Sequence, residues 1–404
     1  MTAEIAILNK SGIVLAADSA VTISNNLGNA KAYNAANKLF SCGGNKNIAF
    51  MIYGNAEYME IPWEIIFKEF RSETQIIDFR DLEECATSFF AFLKKEQFND
   101  CHISKNIIIS TFYRTLNYIT NVASDFINEE QAKSNNHEIE DEKIIEILKN
   151  VILLVRKNNI DRKGIDFEIT VEDFISEFFD FIDKDLKNFF KLDISEIFND
   201  LVTLLYELVI YKNSFDNSSG IVFAGYGSND LFPSLYSYEV DYSFNGKLKY
   251  TSQEKVNITV NGCSASITPF AQSDMVLTIL KGMDPSIESE IIDKISASEL
   301  TDNQKDDIIE SVANFQKENF IDPILNIVSM LSVSELANMA ETLVNLTSFK
   351  RHITDSLETV GGPVDVLVIT RGDGPIWINR KEYFDLQKNI DYQLRKRDIR
   401  DGRN

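Results

Sequence analysis

The sequence contains few of the residues that build metal, disulfide or nucleic-acid sites. Only three histidines and four cysteines occur in 404 residues, and none shows the paired spacing of metal ligands or of a disulfide framework. We therefore expect no metal, no other cofactor and a reducing environment, for which the cytoplasm is the default. Lys and Arg total 40 against 62 Asp and Glu, a net charge of −22. Because phosphate binding needs clustered basic residues, nucleic acid is not the expected partner.

Long apolar runs are also missing. The N-terminus has neither a basic segment nor a long apolar stretch, and no run of about 18 apolar residues occurs in the chain. We expect no signal peptide, no transmembrane helix and no membrane partner. There is no internal repeat and no Gly/Ser/Pro-rich linker, while 44% of the residues are apolar. The sequence therefore predicts one elaborated domain over residues 1–404.

Strand-type and helix-type patterns occur in separate blocks. Helical spacing fills residues 62–211 and is predicted to resume after Pro269. Strands are predicted at 3–8, 13–17, 48–53, 220–227, 235–243, 247–251, 256–260, 364–369 and 376–378. Strands and helices do not alternate along the chain as in βαβ units, so the order predicts an α+β fold and not a parallel doubly wound sheet. Two packed antiparallel sheets with helices on both outer faces would bury every apolar face.

The second residue has chemical interest. If Met1 is removed, Thr2 becomes the chain terminus, and a terminal threonine can supply both nucleophile and base. Its hydroxyl attacks, and its α-amine, with an ordinary pKa of about 7.7–8.0, takes the proton. Such a site needs a nearby cation to lower the pKa of the amine, and a carboxylate to hold the cation. It also needs a backbone N–H to stabilise the oxyanion.

Several segments of the sequence resemble the proteasome β-subunit superfamily of N-terminal nucleophile (Ntn) hydrolases. They are Thr2, the run Gly-Ile-Val-Leu-Ala-Ala-Asp-Ser-Ala-Val-Thr at 12–22, Lys38, Tyr-Gly-Asn-Ala at 53–56, and the segments 218–227, 262–264 and 361–374. The resemblance implies a four-layer αββα sandwich, which is the arrangement that the strand and helix blocks also favour. It implies expanded helical layers, with insertions at about 62–212 and 283–358.

The resemblance also implies roles for individual residues. Thr2 corresponds to the nucleophile, Asp18 to the carboxylate that orients the catalytic lysine, Lys38 to that lysine, and Gly54 to the glycine of the oxyanion hole. Because the loop before Lys38 is longer than in the family, Lys31 is an alternative for the lysine.

Further residues correspond to supporting and substrate-binding positions. Ser218 or Ser219 falls where a serine supports the terminal amine, and Asp274, or alternatively Ser273, falls near the last supporting carboxylate. For Asp274 the N-cap of a helix is the favoured role. The implied substrate contacts are Thr22 for the backbone and an apolar pocket of Val21, Ala36, Phe40, Ile52 and Ala56.

The implied activity is that of a threonine-type amide hydrolase. We expect a peptidase that cuts after apolar residues through an acyl-enzyme at Thr2, with a small-molecule amidase as a variant. The alternative is a catalytically inactive scaffold or binding protein whose helical insertions form the surface that binds other molecules. Expected partners are a peptide or protein substrate and further copies of the chain, as a dimer or a ring. The sequence does not predict whether a partner ATPase delivers substrates to the protein.

Overall fold

The computed structural model describes residues 2–24, 30–33, 36–44, 46–133, 139–160, 169–211, 218–354, 361–382, 384–391 and 394; the side chains of 21–24, 30–32, 133, 158–160 and 386 are outside the description. The strands are β1 Ala3–Asn9, β2 Gly12–Ala17, β3 Val21–Ser24, β4 Ala30–Tyr33, β5 Leu39–Ser41, β6 Asn47–Gly54, β7 Glu57–Tyr58, β8 Ile61–Pro62, β9 Ser219–Tyr226, β10 Ser234–Phe244, β11 Lys247–Asn257, β12 Ala265–Ala271, β13 Asp365–Thr370 and β14 Gly374–Asn379.

The helices fall in two groups, before β9 and between β12 and β13. They are α1 Trp63–Glu73, α2 Leu82–Leu93, α3 Cys101–Lys133, α4 Asp141–Ile160, α5 Val171–Glu177, α6 Lys187–Phe189, α7 Phe198–Ile210, α8 Asp274–Lys281, α9 Pro285–Ser296, α10 Asp302–Gln316, α11 Asp322–Val328 and α12 Val333–His352. In the part of the chain that the structure covers, no helix combines the length and the apolar character needed to cross a bilayer.

Two five-stranded antiparallel sheets form the centre of the fold. The first has the order β12-β1-β2-β13-β14 and the second the order β11-β10-β9-β6-β5. Successive strand residues point to opposite faces. In β1, Ala6 and Leu8 accordingly join a buried cluster shared by both sheets, whereas Ile5 and Ile7 face a second cluster that includes residues of α8 and α12.

The helices of the first group cover the other face of the second sheet. Phe50 and Phe223 of that sheet pack in one large cluster with aromatic side chains of α1 and α2, such as Phe67 and Phe89. Aromatic side chains bury a large apolar area each, and their stacked and edge-on contacts add specific geometry. This packing fixes the second sheet, and with it the positions of β5 and β6 next to the N-terminus.

The α+β class predicted from the sequence is confirmed. The assignment to the Ntn hydrolase sandwich, the single-domain organisation and the insertion boundaries stay predictions. The separate strand at 256–260 was wrong, because β11 continues to Asn257. Helices do resume after Pro269, at α8, but Pro269 itself lies inside β12, a strand that was not predicted from the sequence. β12 is an edge strand, the place where a residue without an N–H donor is tolerated.

Candidate active site

The alternation of β1 brings Thr2 and Glu4 to the same side. Residues 2, 4, 6 and 8 share one face of the strand, and Ala6 and Leu8 lie in the cluster between the sheets. Thr2 and Glu4 therefore face the end of the space between the sheets. The Thr2 hydroxyl donates a hydrogen bond of 2.9 Å to Glu4 Oε2, and both residues are buried.

Asp18 lies beside this pair because of the strand register. Ala17, the last residue of β2, is opposite Glu4, so Asp18 follows at the same end of the sheet. Its carboxylate accepts hydrogen bonds from the backbone N–H groups of Ala3 (3.2 Å) and Gly361 (2.8 Å), and from the ammonium group of Lys38. Charge-assisted bonds of this kind are stronger than neutral ones, so the carboxylate is held in one place.

Lys38 connects the two sheets at this point. It immediately precedes β5 of the second sheet, and its ammonium group reaches Asp18 of the first. Lys38 Nζ also lies 3.2 Å from Glu4 Oε1, although the angle is outside hydrogen-bond geometry. Asp18 and Glu4 have fully buried side chains and that of Lys38 is 4% exposed. A buried charge is unfavourable unless it is paired, and here one cation is paired with two carboxylates.

The buried carboxyl group of Glu4 has a raised pKa. Burial raises its pKa to about 7, the positive charge of Lys38 opposes that rise, and the negative charge of Asp18 adds to it. Sequence reasoning did not select Glu4. The signal that points to it is a lone carboxylate in an apolar strand, two residues from Thr2 and therefore on the same face.

Thr2, Lys38 and Gly54 line one cleft of about 150 Å³. Three of the predicted pocket residues, Ala36, Ile52 and Ala56, line it too, together with Asn37, Tyr53, Asn55, Pro62 and Glu64. A larger cavity of about 570 Å³ lies elsewhere, between Lys46, Phe79 and Arg371. We place the candidate site in the smaller cleft because Thr2 and Lys38 line it, and their side chains contact the buried carboxylates of Glu4 and Asp18.

Gly54 closes this cleft with a backbone that only glycine accepts readily. Its φ is +77°, in the left-handed region, and a Cβ atom at this position would lie 2.6 Å from the carbonyl oxygen of Ser218. Gly54 is opposite Ser219 in the β6–β9 ladder. The side chain of Ser219 accepts a hydrogen bond from Trp63 Nε1 (2.8 Å) and donates one to the carbonyl of Asn55 (2.9 Å). Ser218 and Ser219 thus support the wall of the cleft, and no hydrogen bond joins either to Thr2 within the described residues.

Among the described residues, Asp274 forms its ion pairs with Lys350 and Arg351 and has no hydrogen bond with the Thr2 side chain. It is the first residue of α8, directly after Ser273, and its carboxylate is 3.0 Å from Lys350 Nζ and 3.4 Å from Arg351. Two residues before Asp274, the backbone N–H of Gln272 donates a hydrogen bond of 3.0 Å to the carbonyl of Thr2.

Phe40 also points away from the cleft. Its ring stacks on Phe67 of α1 at 5.1 Å, and Phe40 is absent from the cleft lining. The side chains of Val21, Thr22 and Lys31 lie outside the described part of the chain. Lys38 is the lysine that contacts Asp18. No group of three His, Cys, Asp or Glu side chains suited to hold a metal ion occurs among the described residues.

Comparisons with known proteins add little to this geometry. No family model matches the chain, and no curated protein is similar to it. Among solved structures, the chain is similar to an Anbu (Gly-1) mutant from Hyphomicrobium sp. strain MC1, with 9% identity, a TM-score of 0.30, and 98% of this chain and 96% of that chain covered. A TM-score this low carries no argument about fold or function.

Proposed function

We propose that this protein is an N-terminal threonine amide hydrolase of the proteasome β-subunit-like Ntn superfamily, with Thr2 as nucleophile once Met1 is removed. The observation that carries the proposal is that Thr2, Lys38 and Gly54 line one cleft, with Lys38 paired to the buried carboxylate of Asp18. These are the four residues to which the resemblance assigns the roles of nucleophile, carboxylate, lysine and oxyanion-hole glycine. A nucleophile, a fixed cation and an oxyanion-binding position are the elements that acyl transfer needs.

In the proposed reaction, Thr2 Oγ1 attacks the carbonyl carbon of an amide bound in the cleft. The Gly54 N–H is assigned to the oxyanion, and Lys38, held by Asp18, lowers the pKa of groups that must give up a proton. The C–N bond then breaks, the amine leaves, and water hydrolyses the ester at Thr2. Ala36, Ile52 and Ala56 give the cleft apolar walls. We therefore propose peptides with an apolar residue before the cut as substrates.

A screen of blocked fluorogenic peptides tests this proposal. Peptides that differ only in the residue before the reporter amide are compared, with apolar, acidic and basic residues at that position. We expect cleavage after apolar residues by the wild type and its loss in Thr2→Ala. Full activity in a Thr2→Ala protein that lacks Met1 would rule out Thr2 as the nucleophile. Activity on small amides alone would shift the proposal to an amidase.

A non-enzymatic scaffold is the second candidate, and one observation favours it. Helix α9 has no buried residue among those described, and it exposes the isoleucines Ile287, Ile291 and Ile292. Exposed apolar residues that cluster on one helix are typical of interaction surfaces. The scaffold proposal predicts no Thr2-dependent cleavage together with self-association or partner binding that Ile291→Glu weakens, measured by light scattering.

A further inference from the structure

The Thr2 hydroxyl donates a hydrogen bond to the buried carboxylate of Glu4. From this we infer that Glu4 is the general base that receives the Thr2 Oγ1 proton, a role that rests on the proposed hydrolase function. The donor–acceptor distance of 2.9 Å lies within the reach required of a general base, about 2.6–3.2 Å. Glu4 touches the reacting atom itself, so its role is catalytic and not only positional.

The backbone of Glu4 is held by hydrogen-bonded strands on both sides. β1 is paired on both sides, so that Glu4 lies opposite Ala17 of β2 and Phe270 of β12. Its side chain is fully buried. Thr2 directly precedes β1, and its carbonyl accepts a hydrogen bond from the N–H of Gln272 next to β12, so the two-residue spacing brings its hydroxyl to the side of Glu4. A base on a paired strand is held more accurately than one on a loop.

The groups around Glu4 suit a base that works near neutral pH. Lys38 favours its ionised form, Asp18 and burial favour its protonated form, and together they raise its pKa to about 7. From β6, Tyr53 faces the same region; burial raises the pKa of its phenol, and the charges of Glu239, Glu4 and Glu254 act in the same direction, so Tyr53 stays neutral. A base whose pKa is near the working pH both takes and returns a proton efficiently.

The proton path balances over the whole cycle. Thr2 Oγ1 forms a bond to the carbonyl carbon as its proton passes to Glu4 Oε2, and the carbonyl π electrons move to oxygen. When the intermediate collapses, the C–N bond breaks and Glu4 gives its proton to the leaving amine. Glu4 then takes a proton from the attacking water, and returns it to Thr2 Oγ1 as the ester C–O bond breaks. The net reaction is amide plus water to carboxylic acid and amine.

The test compares wild type, Glu4→Gln and Glu4→Asp, with Glu129→Gln as a matched control on the exposed surface of α3. The Gln side chain keeps the size and the hydrogen-bond acceptor but cannot take the proton. Each protein is treated with an activated ester, and acylation of Thr2 is followed by peptide mass over a range of pH. Hydroxylamine cleaves an ester on the hydroxyl and leaves an amide on the α-amine, so the two products are distinguished.

We expect the acylation rate of Glu4→Gln to fall by about 10²–10⁴-fold, and its acid limb near pH 7 to disappear. Glu4→Asp should be slower than the wild type but should keep an acid limb, and Glu129→Gln should behave as the wild type. If Thr2 of the wild type is acylated and Glu4→Gln reacts at a similar rate with the same acid limb, the role of Glu4 is overturned while the proposed function stands. If Thr2 of the wild type is never acylated, both are overturned.

A measurement on the wild type alone decides the case in which Glu4→Gln fails to fold. The acid limb of the acylation rate is recorded at several temperatures. The pKa of a carboxyl group changes little with temperature, whereas that of an amine falls clearly on heating. An acid limb that stays in place identifies Glu4 as the base, and one that moves down on heating identifies the α-amine and contradicts the inference.

Discussion

The replacement Glu4→Gln should remove part of the pH dependence of the free energy of unfolding. The pKa of Glu4 is raised from an ordinary value of 4.5 to about 7 in the folded protein, so the folded state holds this proton more tightly than the unfolded state does. The stabilisation is complete below pH 4.5 and is lost as the pH rises to about 7. The free energy lost between about pH 5 and about pH 8 is on the order of 2–3 kcal/mol for a shift of this size. The Gln variant has no such proton to lose.

Urea unfolding of wild type, Glu4→Gln and the exposed control Glu129→Gln at about pH 5 and about pH 8 measures this difference. Other titrating groups are common to the three proteins, so they cancel in the comparison. We expect the free energy of unfolding of Glu4→Gln, relative to wild type, to be higher at about pH 8 than at about pH 5, by on the order of 2–3 kcal/mol. A relative change below about 0.5 kcal/mol, or one of opposite sign, would refute the electrostatic account of the cluster.

Two further predictions concern the neighbours of Glu4. Lys38→Met leaves the carboxylate of Asp18 buried without its cation, so it should cost about 3–5 kcal/mol in urea unfolding near pH 8 and abolish acylation; an unchanged stability there would contradict the buried ion pair. Gly54→Ala forces a Cβ to within 2.6 Å of the Ser218 carbonyl at a positive φ, so it should cost roughly 1–3 kcal/mol and slow acylation. A Gly54→Ala protein as stable and as reactive as the wild type would contradict the assigned backbone geometry.

Many strand positions could be predicted from the sequence because buried strands leave continuous apolar runs. The runs at 13–17 and 48–53 became β2 and β6 with small changes at their ends. β12 was missed because its Ser, Thr and Pro residues weaken the strand pattern, and an edge strand needs less apolar character than a central one.

The site could be predicted only in part, because local residue spacing does not show which distant segments contact each other. Asp18 and Lys38 do meet, although twenty positions separate them in the sequence. Phe40 was placed in the pocket by its resemblance, but it packs toward α1 instead. The resemblance assigns no role to Glu4, so it was not predicted. The two-residue repeat of a strand nevertheless places Glu4 on the same side as Thr2.

The mass of the N-terminal peptide tests the central claim most directly. The protein is treated with an epoxyketone, a reagent that joins both the hydroxyl and the α-amine of a terminal threonine, and is then digested and compared with Thr2→Ala. The account predicts a peptide that begins at residue 2 and carries one inhibitor mass in the wild type, and an unmodified peptide in the variant. A wild-type peptide that retains Met1, or remains unlabelled, would contradict it.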